Sequence, residues 1–177
     1  MTSISRSIAA AVLAASVAVS GAAPAIGQTR VDAKRDWSIF EAGEGGQKVC
    51  WIVSQPKSSS ATRGGQTVQV NRGDIFLMVA VRPADNVRNE VSFLAGYPFK
   101  EGSNVTVTVG SNNYTLFTNG ENAWTQSGAE DDQITAAFRA GADARVSGES
   151  SRGTTTRDVF SLSGFTAALD AARQRCS

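Results

Sequence analysis

Ile75-Phe76-Leu77-Met78-Val79-Ala80-Val81 is an unbroken apolar run, introduced by Arg72-Gly73 and stopped by Pro83. Its length suits a strand better than a helix, and the flanking Gly and Pro mark its ends, so it predicts the central buried strand. Downstream, Val91 and Phe93, then Val105, Val107 and Val109, then Tyr114 and Leu116, alternate with polar residues at period two. Such alternation belongs to strands with one face wet. Gly110-Ser111-Asn112-Asn113 and Asn119-Gly120 fall between these runs as hairpin turns, the second with the composition of a type I′ turn. Upstream, Val49-Cys50-Trp51-Ile52-Val53 forms a second strand, and Trp37-Ser38-Ile39-Phe40 pairs with it across Gly43-Glu44-Gly45-Gly46. The polar stretch from Pro56 to Gly65 reads as an exposed loop, and Val68 and Val70 as a half-buried strand.

Two short helices interrupt the β pattern. Ser127-Gly128-Ala129-Glu130 has capping-box spacing, with Asp131 and Asp132 in the electropositive first turn and Ile134, Ala137 and Phe138 along one face. After a hairpin from Val146 to Thr156, turning at Ser150-Ser151-Arg152-Gly153, the chain passes through Val159-Phe160-Ser161-Leu162 into a second helix. There Phe165, Ala168, Leu169 and Ala172 share a face, and Cys176 continues that stripe toward the sheet. Successive strands joined by short turns predict an antiparallel β-sandwich or flattened barrel with two short helices, the second C-terminal.

The first residues set the compartment. Arg6 precedes an uncharged apolar run from Ile8 to Val19, followed by the small residues Gly21 to Ala25. This is the pattern of a signal peptide, cut after Ala25 or after Gly27, and the run is shorter than the roughly 20 residues a spanning helix needs. Removal of residues 1–25 leaves 152 of the 177 residues: a lead-in over 26–36, expected to be flexible, and one domain over 37–177. The only basic residue lost is Arg6, so the mature chain carries 16 basic and 16 acidic residues. A balanced charge argues against nucleic acid as a partner and, with the leader gone, against insertion in a membrane. The expected location is periplasmic or secreted. In that oxidising space Cys50 and Cys176 are expected to pair, two buried free thiols being the alternative.

The sequence contains no His, which removes the commonest general base and the commonest metal ligand. No catalytic residue, cofactor site or metal site is assigned. Ser54-Gln55-Pro56-Lys57 matches the Ser-x-x-Lys acylation motif, but Pro56 follows a β-run and no partner motif accompanies it. Arg72-Gly73-Asp74 is the tripeptide adhesins offer to receptors; Gly before a strong strand is also ordinary turn chemistry, so Arg72, Gly73 and Asp74 are weak binding candidates. Gly43-Glu44-Gly45-Gly46-Gln47-Lys48 lacks the helix a phosphate loop requires, and Glu130, Asp131 and Asp132 lack a calcium-loop register. Trp124 and Tyr97 are candidates for a binding patch if exposed, and for core or hairpin packing otherwise.

Several blocks occur in a telling order. They are Asp36-Trp37; Cys50 to Lys57; Arg72-Gly73-Asp74; Glu90-Val91-Ser92-Phe93 leading to Gly96-Tyr97-Pro98-Phe99; Leu116 to Gly120; Ser150-Ser151-Arg152-Gly153-Thr154; and Phe160 to Ala168. Together they resemble the invasion-associated locus B family of bacterial envelope proteins across essentially the whole mature chain. The resemblance implies a small envelope-located protein with no catalytic residues. The resulting expectation is a non-enzymatic binding or structural protein whose partner is an envelope protein or a host-surface component. A surface adhesin and a wall- or glycan-acting hydrolase using carboxylates or Ser54 with Lys57 are the rival readings.

Overall fold

The computed structural model describes residues 28–177. The predicted leader and both cleavage sites lie outside the described residues. In chain order the strands are β1 (Thr29–Lys34), β2 (Trp37–Ala42), β3 (Val49–Ser54), β4 (Ser58–Arg63), β5 (Gln66–Thr67), β6 (Phe76–Arg82), β7 (Val87–Leu94), β8 (Asn104–Val109), β9 (Asn112–Asn119) and β10 (Asn122–Trp124). Helix α1 (Gly128–Ala140) comes next, then β11 (Asp143–Glu149), β12 (Thr155–Ser161) and helix α2 (Phe165–Arg175). The strands form one antiparallel sheet in the order β1-β2-β3-β6-β7-β10-β9-β8-β11-β12-β4-β5. It curls over so that the inner faces of its two halves, with the two helices, enclose a single core. Phe93 of β7 meets Phe160 of β12 edge to face at 6.1 Å, and Trp37 of β2 meets Phe165 of α2 at 5.0 Å. The expectation of a β-sandwich or flattened barrel with two helices is met.

The central strand β6 sits between β3 and β7, but it is buried on one face only. Leu77, Val79 and Val81 are buried while Phe76, Met78 and Ala80 are half-buried on the outside, because both helices pack on the inner face. Four other expectations need correction. The lead-in is not simply a flexible lead-in: residues 29–34 form β1, an edge strand whose backbone pairs with β2 through a register shift at Val31. Edge strands tolerate Arg30, Asp32 and Lys34 because pairing supplies the stability and charge blocks further pairing. The polar stretch after Pro56 contains β4, which pairs with β12 and buries only Ala61, and Val68 and Val70 lie outside any strand. A free sheet edge thus recruits residues whose side chains carry no hydrophobic signal. The Asn119-Gly120 hairpin exists, but its loop residues are Gly120 and Glu121, with positive φ at Gly120 alone. That is the pattern of a type II′ turn.

Ser127 caps α1, accepting from the Glu130 amide, and the Glu130 carboxylate accepts from the Gln126 amide. Helix α2 starts at Gly164, whose φ of 90° and approach to the Lys34 carbonyl leave no room for a side chain. At its far end Cys176 is bonded to Cys50 of β3, with Cα atoms 6.0 Å apart. Among the described residues no helix is long and apolar enough to cross a membrane.

Candidate functional site

Arg72 lies in the segment that leads into β6, at the opposite end of that strand from the disulfide, since Cys50 pairs with Val81. Its guanidinium donates to both carboxylate oxygens of Asp158, at 2.7 and 2.8 Å, and through Nε and Nη2 to the Ala95 carbonyl. The Arg72 side chain is 7% exposed and that of Asp158 0%. The guanidinium also lies over the Tyr97 ring, 4.9 Å from its centroid, and the Tyr97 hydroxyl is 2.7 Å from Thr156 Oγ1. Burial pushes the Tyr97 phenol above its ordinary pKa, partly offset by the hydrogen bond to Thr156. A buried bidentate pair with every arm engaged is a structural fastening between segments far apart in sequence.

This corrects the tripeptide reading. Arg72 points its charge into the protein, so the Arg72-Gly73-Asp74 unit is not displayed to a receptor; of the two charged residues only Asp74 is exposed. Gly73 has a backbone role: its amide donates to the Gly96 carbonyl at 2.9 Å, and a Cβ on Gly96, whose φ is 69°, would sit 2.6 Å from the Gly73 carbonyl. Only glycine lets the two strands of backbone meet that closely.

Above this fastening lies a cleft of about 380 Å³. Arg63, Asn71, Arg72, Tyr97, Ser151, Arg152, Thr154 and Glu121 line it, drawn from β4, the approach to β6, the exit of β7, the β11–β12 turn and the β9–β10 turn. Arg72-Gly73-Asp74, Gly96-Tyr97-Pro98 and Ser150 to Thr154, three of the blocks on which the family resemblance rests, therefore converge here. Arg63 is oriented by Thr154, whose Oγ1 accepts from Nε at 2.9 Å and Nη2 at 2.7 Å. Ser150 Oγ accepts from the Thr154 amide and shapes the turn that carries Arg152. The cleft thus offers cations and hydroxyls. The buried carboxylate beneath it, Asp158, is consumed by Arg72, and Glu121 is the one acid that lines the cleft, so no pair of carboxylates faces a shared point there as acid–base hydrolysis of a glycan would need.

The other motifs do not assemble. Ser54 is buried on the inner face of β3 and donates to the Gln55 carbonyl, whereas Lys57 is paired with Asp36 at 2.5 Å. No hydrogen bond joins Ser54 to Lys57 among the described residues. Asp131 does more than cap: its Oδ1 accepts from the Val91 amide at 2.8 Å and from Thr125 at 2.6 Å, joining α1 to β7. Burial raises its pKa against those hydrogen bonds.

Two aromatic pairs stand on the outer face of the sheet, one on β2 and β3 and one on β9 and β10. Phe40 and Trp51 are cross-strand neighbours with centroids 5.6 Å apart, and Phe117 and Trp124 lie 5.8 Å apart. Trp124 is therefore half-buried on a sheet face, and Tyr97 is half-buried in the cleft. The convergence of the cleft was missed in the sequence because each contributing block reads locally as a turn.

The model of the Invasion associated locus B (IalB) protein family matches residues 37–173. Among solved structures, the fold is similar to that of invasion associated protein B from Bartonella henselae. The TM-score is 0.55 at 20% identity, over 81% of this chain and 95% of that one. No curated protein matches the chain. The chain belongs to the invasion associated locus B family.

Proposed function

We propose that the chain is an exported, non-enzymatic binding protein of the bacterial envelope, periplasmic or secreted, that holds its ligand in the cleft above Arg72 and Asp158. The observation that carries this reading is the composition of the cleft. It has one arginine, Arg63, oriented by Thr154, a second, Arg152, on the β11–β12 turn, and hydroxyls around an ionic floor, without a free buried carboxylate or any His to move a proton. Preformed clefts with a few fixed polar groups serve recognition. Its location is supported by the disulfide, which persists in oxidising compartments, and by the family to which the chain belongs. A link to host-cell invasion is part of the proposal, supported by the name of the family and of its solved relative.

The test uses the mature protein immobilised in parallel with Ser151→Trp, which fills the cleft from an exposed turn. Envelope extract is passed over both, and what is retained is identified by mass spectrometry. Components held by the native protein, absent from the variant and recovered chemically unchanged, are the expected result. Equal retention by the two proteins removes the cleft from the function, and chemical conversion of a retained component removes the non-enzymatic reading.

A further inference from the structure

Resting on the cleft as a binding site, we infer that it recognises a phosphomonoester carried on a group of about sugar size. Arg72 and Asp158 cancel each other in the floor, whereas Arg63 and Arg152 line the same cleft and make no ion pair among the described residues. Glu121 is the single acid at the rim, so the cleft keeps a positive excess in a mature chain whose basic and acidic residues balance.

Geometry narrows the ligand further. Thr154 takes two of the N–H groups of Arg63 and thereby fixes the plane of its guanidinium, leaving Nη1 without a protein acceptor among the described residues. A planar fork held in place, with a second guanidinium from Arg152 on the same cleft, suits an oxyanion with several acceptor oxygens better than a single neutral hydroxyl. Ser151 lies on the same wall and adds a hydroxyl that donates to an oxygen and accepts from a sugar hydroxyl. The volume, about 380 Å³, lies at the small end of ligand sites and fits one sugar-sized unit with its phosphate. Tyr97 also lines the cleft, half-buried with Arg72 over its ring, and adds aromatic carbon to the wall beside such a unit.

Calorimetric titration of the mature protein with inorganic phosphate, glucose 6-phosphate and glucose tests the ligand class. Both phosphates are expected to bind, the sugar phosphate more tightly, with affinity falling as salt is raised, and glucose is expected not to bind. Arg63→Gln and Arg152→Gln should each weaken the phosphates by about tenfold or more. Arg157→Gln, on the polar outer face of β12, should change nothing. Co-sedimentation with phosphatidylcholine vesicles, with and without phosphatidic acid, separates the sources: capture by the acidic vesicles alone assigns the phosphate to a lipid headgroup, and its failure beside soluble binding assigns a soluble ligand. Absence of binding by every phosphate probe, or equal binding by Arg152→Gln and the native protein, overturns the inference. If Ser151→Trp still abolishes retention of an envelope component in that event, the cleft stands and only its ligand class falls.

Discussion

Two fastenings close this fold at opposite ends of β6, and they work by different physics. At one end a covalent bond joins Cys50 of β3 to Cys176 beyond α2, across a sequence separation of 126. At the other, Arg72 grips Asp158 of β12, 86 positions away, through a pair of charge-assisted hydrogen bonds. In the chain-entropy account the disulfide acts chiefly on the unfolded chain, so it tolerates simple surroundings and needs only an oxidising compartment. The ion pair acts in the native state alone and needs every arm satisfied. That demand explains why the cleft forms where the ion pair is: positioning Arg72 draws Ala95, Gly96 and Tyr97 together with the β11–β12 turn.

Loss of the covalent fastening carries the largest expected effect. The double replacement Cys50→Ser with Cys176→Ser should lower unfolding free energy by about 4 to 5 kcal/mol, measured by denaturant titration. The cleft should keep the proposed phosphate affinity wherever the protein is still folded, because the bond lies at the far end of β6. Asp158→Ala comes next, at about 3 to 4 kcal/mol, since it leaves a buried guanidinium without its counter-charge. Arg72→Met combined with Asp158→Leu should recover most of that stability while cleft binding stays impaired. Recovery of both would mean that the ion pair does not organise the cleft.

Smaller effects sharpen the contrast between buried and exposed charge. The Lys57 hydrogen bond holds the Asp36 carboxyl below its ordinary pKa, so its contribution is present above that value and disappears as pH falls through the folded one. Lys57→Ala should cost below about 1 kcal/mol near neutrality, and that difference should vanish in acid. Asp131 has the opposite sign. Its folded carboxyl is raised by burial, so the folded state holds the proton more readily, and stability falls as pH rises from the ordinary value through the raised one. Against Asp131→Asn, the native protein should therefore lose relative stability across that interval and run parallel to the variant above it. A constant difference at every pH would show that burial does not shift this group.

How much was legible follows from the range of each interaction. The alternation in β7, β8 and β9 and the capping box at Ser127 are local signals, and the elements appear where those signals fall. Strands β1, at the sheet edge, and β4, next to the other edge, were illegible because strands rich in Thr, Ser, Arg and Lys owe their existence to a neighbour's unpaired backbone. The disulfide was legible because two cysteines leave a single intramolecular pairing. Arg72 was misread for the converse reason. Its meaning depends on Asp158, and nothing near either residue in the sequence announces the other.

The amino-acid sequence by itself determined the class of fold, the order of most elements, the expectation that its two cysteines pair and the family resemblance, because periodicity, residue count and ordered blocks are properties of the chain read along its length. Only the tertiary structure decided which face of β6 is covered, which polar stretches become strands, and that three separate turns meet over a buried ion pair. Those outcomes depend on the neighbours each backbone and each charge finds after folding, and the separations involved exceed any pattern that adjacent residues can encode.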